Sequence, residues 1–319
     1  MKISVTDKNG SGIMKEFAQA IGATIQGRFF YIPESKGGGY ITGFSWDNGL
    51  RMLVRDYHLK EEIQLERTNE LTEGQEDVIF SLSGIFPARL EESQLVPEQA
   101  SVFICMHAVS SKLTMPSDTS FRSIVIGTPR QYLRQVFGHI KHPVVTTILE
   151  GKENFAFETG ISQDMIRSAS DIVHQQIPER LERQYYKLKC EELLCFIFGL
   201  LMEREASPTS SMHINDIKEI YAVKLKLQTR LDQSPDIAGL ARAAGMSEPK
   251  MRKLFRQTFG KGVFEYFQSM RMQEAARLLK DKRLSVSEVG YQLGFTNLSH
   301  FSRVFEQQIG MKPKKYASM

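Results

Sequence analysis

Cysteine is scarce in this 319-residue chain: there are three, at irregular spacing. That excludes a disulfide framework and any paired-cysteine zinc pattern. No apolar run is long enough to cross a bilayer. The longest, LLCFIFGLLM from Leu193 to Met202, falls well short of the ~20 residues a spanning helix needs. The first residues, MKISVTDKNG, lack the apolar core of a secretory signal. No GxSxG, phosphate-loop or GxGxxG pattern is present, so three common frameworks for catalysis and nucleotide binding drop out. Paired histidines are missing too. His58 and His107 stand alone, and His139 and His142 are followed by Pro143 with no carboxylate nearby in sequence. The expectation from these absences is a reduced, cytoplasmic protein, not an enzyme, with no cofactor, no metal and no membrane partner.

What is present divides by charge. Residues 214–319 hold 19 Lys+Arg and 10 Asp+Glu, a formal +9, whereas residues 1–213 hold 22 and 27, a formal −5. A separate nucleic-acid-binding module produces such an asymmetry, because phosphates demand concentrated positive charge. Composition is otherwise that of a packed protein, 41% hydrophobic and 24% charged, and the length fits about two domains.

Between Gly49 and Gly127 the signals are short and strand-like. EIQLER alternates polar and apolar residues, and DVIFSLSGIF, SVFICM and FRSIVIG are short apolar or β-branched runs. Such spacing predicts an antiparallel barrel or sandwich over about 40–128. After Pro129 the apolar spacing becomes helical, predicting helices over about 129–205. In the last of these, Tyr186, Leu193, Leu194, Ile197, Leu200 and Leu201 form a stripe for packing, with a surplus for a second copy of the chain. Cys190 and Cys195 read as buried in that helix. A small, polar, proline-containing stretch over 206–213 reads as a linker where the charge changes sign.

The C-terminal third contains a repeat. IAGLARAAGMSEPKMRKLFRQTFG (237–260) parallels VSEVGYQLGFTNLSHFSRVFEQQIG (286–310). Gly245 and Gly294 are 49 apart, while Met251/Phe301, Leu254/Val304, Phe255/Phe305 and Gly260/Gly310 are 50 apart, so the second copy has one extra residue in its turn. Each copy reads as a helix, a glycine turn and a second helix capped by Ser247 or Asn297, over about 237–259 and 286–309. The outward face of the first copy's second helix carries Pro249, Lys250, Arg252, Lys253 and Arg256. That of the second copy carries Ser299, His300, Ser302 and Arg303. Arginine and lysine can donate two hydrogen bonds to guanine, serine is a short donor or acceptor, and a short polar face lets a helix sink into a groove. Between the copies, Val263 to Asp281 predicts a helix of ~28 Å, close to one turn of B-DNA at ~34 Å.

Those residues carry a family resemblance. Gly294-Phe295, the run Asn297 to Phe305, and Gly310-Met311-Lys312-Pro313 with Tyr316 resemble the signature of AraC/XylS-type transcriptional regulators, over about 220–319. LARAAGMS and LFRQTFG in the first copy are similar to the same family. Ala317 departs from it, standing where arginine is common. The resemblance implies an all-α C-terminal domain (214–319) with two helix-turn-helix motifs joined by a long helix. It also implies an N-terminal sensing or dimerisation domain (1–205), α+β, with a cupin-like barrel. By motif position, Pro249, Arg252 and Lys253 would be base-proximal in the first copy, and Asn297, Leu298, Ser299, Ser302 and Arg303 in the second.

GLRMLVRDYHLKEEIQLERT, VIFSLSGIF, HPVVTTILEG and YYKLKCEELLCFIFGLLMERE further resemble regulators of the pyochelin-receptor type. That implies a small-molecule effector, a siderophore among the candidates. A small barrel can enclose one ligand. Trp46, Arg51, Tyr57, His58 and Arg67 are the candidate lining, since aromatics and arginine suit a planar anion. The expectation is thus a ligand-responsive, homodimeric activator, nucleoid-associated in the cytoplasm, with double-stranded DNA, the effector and RNA polymerase as partners. The alternatives are a metal-dependent β-barrel enzyme fused to a DNA-binding domain, and an effector-independent DNA binder.

Overall fold

The computed structural model describes residues 1–7, 12–69, 77–86, 96–106, 112–151, 154–205, 212–280 and 284–318. The chain divides into two units, Met1–Met212 and His213–Met319. Most of the expected linker, 206–211, and His107 lie outside the described residues.

In the first unit the elements run β1 (Lys2–Asp7), α1 (Gly12–Ile21), β2 (Thr24–Gln26), β3 (Phe29–Tyr31), β4 (Gly37–Ser45), β5 (Arg51–Leu59), β6 (Ile63–Asn69), β7 (Asp77–Ser83), β8 (Val96–Pro97) and β9 (Ser101–Met106). They continue with β10 (Lys112–Met115), β11 (Thr119–Pro129), α2 (Arg130–Phe137), α3 (Pro143–Glu150), β12 (Ala156–Thr159), α4 (Gln163–His174) and α5 (Glu179–Met202). One sheet follows the order β12-β9-β7-β11-β5-β4-β3-β2, with β8 beside β11, and a second follows β1-β6-β10.

Period-two alternation sets what the large sheet buries. On β5, Met52, Val54 and Asp56 point to one face, and Arg51, Leu53 and Arg55 to the other. Met52 pairs with Phe44 and Ile126, Phe80 with Ile126 and Ile104, so one apolar row crosses five strands. This face joins Leu133, Val145, Ile148, Met165, Ile197 and Phe198 of α2–α5 in one core. Tyr57 and Leu59, on the other face of β5, enter a second core with Ile3, Phe17, Ile63 and Leu65. Tyr57 stacks on Phe121 at 4.9 Å and its hydroxyl meets Met115 Sδ at 3.3 Å. Burial pushes its pKa up to about 12.

The expected closed, cupin-like barrel is not formed among the described strands: both sheets are open paths. The reason lies at one bend. Ser120 faces His58 in the β11–β5 ladder, and Met115 faces Ile63 in the β10–β6 ladder, so a single register runs through residues 60–62 and 116–118. Past the bend, β6 takes β1 as its parallel neighbour instead of returning to the large sheet. A second departure is β12, a strand inside the stretch read as helical. Its Phe157 pairs with Ile104 on β9.

On α5 the expected stripe is confirmed for Tyr186, Leu193, Leu194, Ile197 and Leu201, which are buried with Cys190 and Phe198. Leu200 is only partly buried. Burial raises the Cys190 thiol pKa. Cys195, expected to be buried, is exposed. It lies in a row with Leu181, Leu188 and Met202, which are 58%, 55% and 44% exposed, one residue every seven along the helix.

The second unit is helical: α6 (Ile214–Thr229), α7 (Ile237–Ala243), α8 (Glu248–Phe259), α9 (Val263–Lys280), α10 (Val286–Gln292), α11 (Leu298–Ile309) and α12 (Pro313–Ala317). The central α9 buries Met272, Ala275, Leu278 and Leu279 against Val289, Phe295, Phe301 and Phe305. Each phenylalanine fully removed from water contributes roughly 1.5–3 kcal/mol. Tyr221, Phe255, Phe259 and Tyr266 make an aromatic cluster around the first helix pair, with Phe255–Phe259 centroids 4.4 Å apart.

Candidate nucleic-acid interface

Both helix pairs are built by the same local chemistry. The first helix of each ends on a glycine with positive φ, 62° at Gly245 and 75° at Gly294. The next residue donates its N–H five positions back: Met246 to the Ala241 carbonyl at 3.0 Å, and Phe295 to that of Gly290 at 2.9 Å. This is the glycine-dependent helix stop. The following helix then starts on a side-chain cap. Ser247 accepts from the Lys250 N–H at 3.4 Å, and Asn297 from the His300 N–H at 3.0 Å. Glycine and cap are two residues apart in the first copy and three in the second, so the extra residue does sit in the turn. Both second helices stop on another left-handed glycine, Gly260 or Gly310.

Equivalent positions on the two first helices, Ala241 and Gly290, are both buried. A Cβ on Gly290 would stand 2.7 Å from Leu298 Cδ2. Leu298 is accordingly half-buried, its side chain occupied in holding α10 against α11. From α9, buried Arg271 reaches the second turn. Its Nε donates to the Leu293 carbonyl at 3.1 Å, a second guanidinium nitrogen reaches the same oxygen, and the third donates to Gln268 at 2.9 Å. The guanidinium lies 3.9 Å from the Phe295 ring centroid. Burial lowers its pKa, and Asp232 opposes that shift. Sequence reading missed this residue, because only the fold brings it to Leu293.

On α8, Pro249, Lys250, Arg252, Lys253 and Arg256 are all exposed. Lys250 Nζ is 2.9 Å from Asp216, and Arg252 donates twice to Glu248 Oε1, at 2.9 and 2.7 Å. Such exposed pairs are worth little in water and are screened by salt, so they can be exchanged for phosphate or base contacts. On α11, Asn297, Ser299, His300 and Arg303 are exposed, and Ser302 is half-buried. His300 leans toward Phe295, with ring centroids 5.8 Å apart.

The five residues expected to line an effector site do not converge. Trp46 belongs to the main core, donating Nε1–H to the Arg183 carbonyl at 2.9 Å. Tyr57 lies in the other core, on the opposite face of the sheet. Arg51 pairs with Asp77 at the strand end. His58 points away from Tyr57, as neighbours on one strand must. Arg67 is on β6, its side chain outside the described residues. Among the described residues no three His, Cys, Asp or Glu side chains gather as a metal site requires.

Two capped helix pairs, joined by one long helix, define a tandem helix-turn-helix domain. Residues 240–319 match the family model described as a helix-turn-helix domain. The transcriptional regulator GlxA of Rhizobium meliloti is 27% identical over 45% of this chain and 44% of its own. The transcriptional activator RhaR of Yersinia pseudotuberculosis is 24% identical over 46% and 51%. The chain thus spans about half the length of the curated relatives it matches. Among solved structures, the DNA-binding domain of AdpA in complex with a target DNA is 27% identical, covering 31% of this chain and 90% of that one, at a TM-score of 0.30. The C-terminal domain of this protein is a helix-turn-helix domain of the AraC type.

Proposed function

We propose that the protein is a sequence-specific DNA-binding transcriptional regulator that lays α8 and α11 in successive major grooves. The in-register duplication carries this reading: two glycine-stopped, side-chain-capped helix pairs, each turning a basic or short polar face outward. The readers are Pro249, Lys250, Arg252, Lys253 and Arg256 on α8, and Asn297, Ser299, His300, Ser302 and Arg303 on or capping α11. Leu298 supports them by packing. The 18 residues of α9 span about 27 Å, a brace of the right scale for one turn of the duplex.

Arg303→Ala tests the reading. Where Arg303 reads a base, the variant loses ~1–3 kcal/mol, about 5–150-fold, at the specific site and little on unrelated DNA. Equal loss on both would reduce Arg303 to a phosphate contact.

The N-terminal domain, 1–205, acts in this proposal as a sensing and dimerisation domain, with a siderophore or another small molecule as effector. The regulator is an activator, as RhaR is described, and meets RNA polymerase at the promoter. Cytoplasmic, nucleoid-associated action follows from these partners. Pairing uses the outer face of α5, where Leu181, Leu188, Cys195 and Met202 repeat every seven residues, the spacing of a helix–helix seam. Leu188→Arg is expected to shift sedimentation from dimer to monomer while leaving the helical signal unchanged. A dimer that survives the substitution would place the interface elsewhere.

A further inference from the structure

A cavity of about 340 Å³ opens where β3, β4 and β5 meet the junction of α4 and α5. We infer that this cavity holds the effector, and that it takes a small, flat aromatic acid. The ring lies against Phe44 and Tyr186, the carboxylate meets Arg28, and a polar atom of the ligand satisfies Thr42 Oγ1. The inference rests on the sensing role proposed for the first unit and gives that role a site and a ligand class.

Four observations support it. The volume lies at the small end of ligand pockets, room for one compact molecule. Phe44 and Tyr186 stack at 4.6 Å and form an aromatic wall, continued by the apolar Met52, Val54 and Ile172. Arg28 is held over these rings, 4.4 Å from the Phe44 centroid and 5.2 Å from that of Tyr186. Its hydrogen-bond partner among the described residues is Glu182 at 3.2 Å, through one of the guanidinium nitrogens. A guanidinium has five N–H donors in a fork suited to a carboxylate. The fourth observation is Thr42. It lines the cavity, is 7% exposed, and its Oγ1 has no hydrogen-bond partner among the described residues. A buried hydroxyl left unpaired is destabilising, so the fold retains a cost that a ligand atom would remove.

Charge decides between ligand classes. A cation entering the cage meets Arg28. A neutral ring strips water from the guanidinium and returns no hydrogen bond. An acid placed at the edge of the guanidinium away from Glu182 does both jobs. The cavity wall includes Glu182 and Tyr186 in the first turns of α5, whose outer side carries Leu181 and Leu188, so occupancy and pairing share one helix.

The test is calorimetric titration of the full chain with hydroxynaphthoate, whose hydroxyl is the polar atom offered to Thr42, and with the matching alcohol and amine in which a hydroxymethyl or aminomethyl group replaces the carboxylate. The acid is expected to bind saturably, ~tenfold or more tighter than the alcohol or the amine. Arg28→Gln brings acid and alcohol to within about twofold. Thr42→Val keeps the shape, removes the orphaned hydroxyl, weakens the acid at least ~threefold and leaves the melting temperature equal or higher. No saturable binding of any probe, alcohol binding as tight as acid, or unchanged binding in Thr42→Val would each overturn the proposal. DNA retention by the same preparations without probe separates the two readings. Lost probe binding with site-specific DNA binding intact removes the cavity alone; the reverse removes the regulator reading alone.

Discussion

Gly294→Ala is expected to destabilise the second unit by about 2–5 kcal/mol, while Gly245→Ala, at the equivalent turn, costs only about 1–2 kcal/mol. Both glycines have positive φ, so any Cβ is strained at either. What differs is the space. Around Gly245 nothing lies within 4 Å of the added atom, whereas at Gly294 it would run into the backbone carbonyl of Asp232. A side-chain neighbour could rotate away, but a backbone carbonyl in the loop after α6 cannot without moving the loop. The displaced turn is the one that aims α11. Thermal unfolding should therefore drop sharply for Gly294→Ala, with DNA binding lost in parallel. Equal shifts for the two variants would mean that the Asp232 contact does not constrain the turn.

Arg271→Met is the second large effect, at about 2–4 kcal/mol. The guanidinium joins three things: α9, the Leu293 carbonyl at the end of α10, and the Phe295 ring beyond the turn glycine. Methionine fills much of the volume but leaves the carbonyl without this donor. Lysine keeps charge but lacks the planar fork, so Arg271→Lys should recover only part of the loss. DNA affinity should fall with stability although Arg271 is buried away from the outward face of α11. A variant as stable as the parent would show that the turn is set by Gly294 and Asn297 without help from α9.

Legibility in the sequence followed the range of the interactions. The C-terminal repeat could be read because its punctuation is local: a glycine, a cap two or three residues on, and apolar anchors at helical spacing. The expected linking helix, Val263 to Asp281, is helical as far as Lys280, and Asp281 lies outside the described residues. In the first unit β6 was legible from alternation, and β7, β9 and β11 from short apolar or β-branched runs. β4 was not read as a strand, since KGGGYITGFS is too rich in glycine to show β propensity. Its Gly39 has φ 95° and sits against the backbone of Asp56 and Tyr57. β12 hid because four residues between helices carry no periodicity, and only pairing with β9 makes them a strand. Arg28 and Glu182 are 154 residues apart, so no local pattern joins them. The cavity proposed for the effector combines an arginine with aromatic rings, as the sequence reading expects of such a site, but through Arg28, Phe44 and Tyr186 and not Trp46, Arg51 and Tyr57.

The central claim is that α8 and α11 read sequence. It is tested most directly by retaining sheared genomic DNA on the purified protein at two salt concentrations and sequencing what is held. A small set of sharp sites, each with two half-sites about one helical turn apart and surviving the higher salt, is the expected result. Diffuse recovery that disappears at the higher salt, with or without aromatic acids present, would contradict it, leaving the two helices as phosphate binders only.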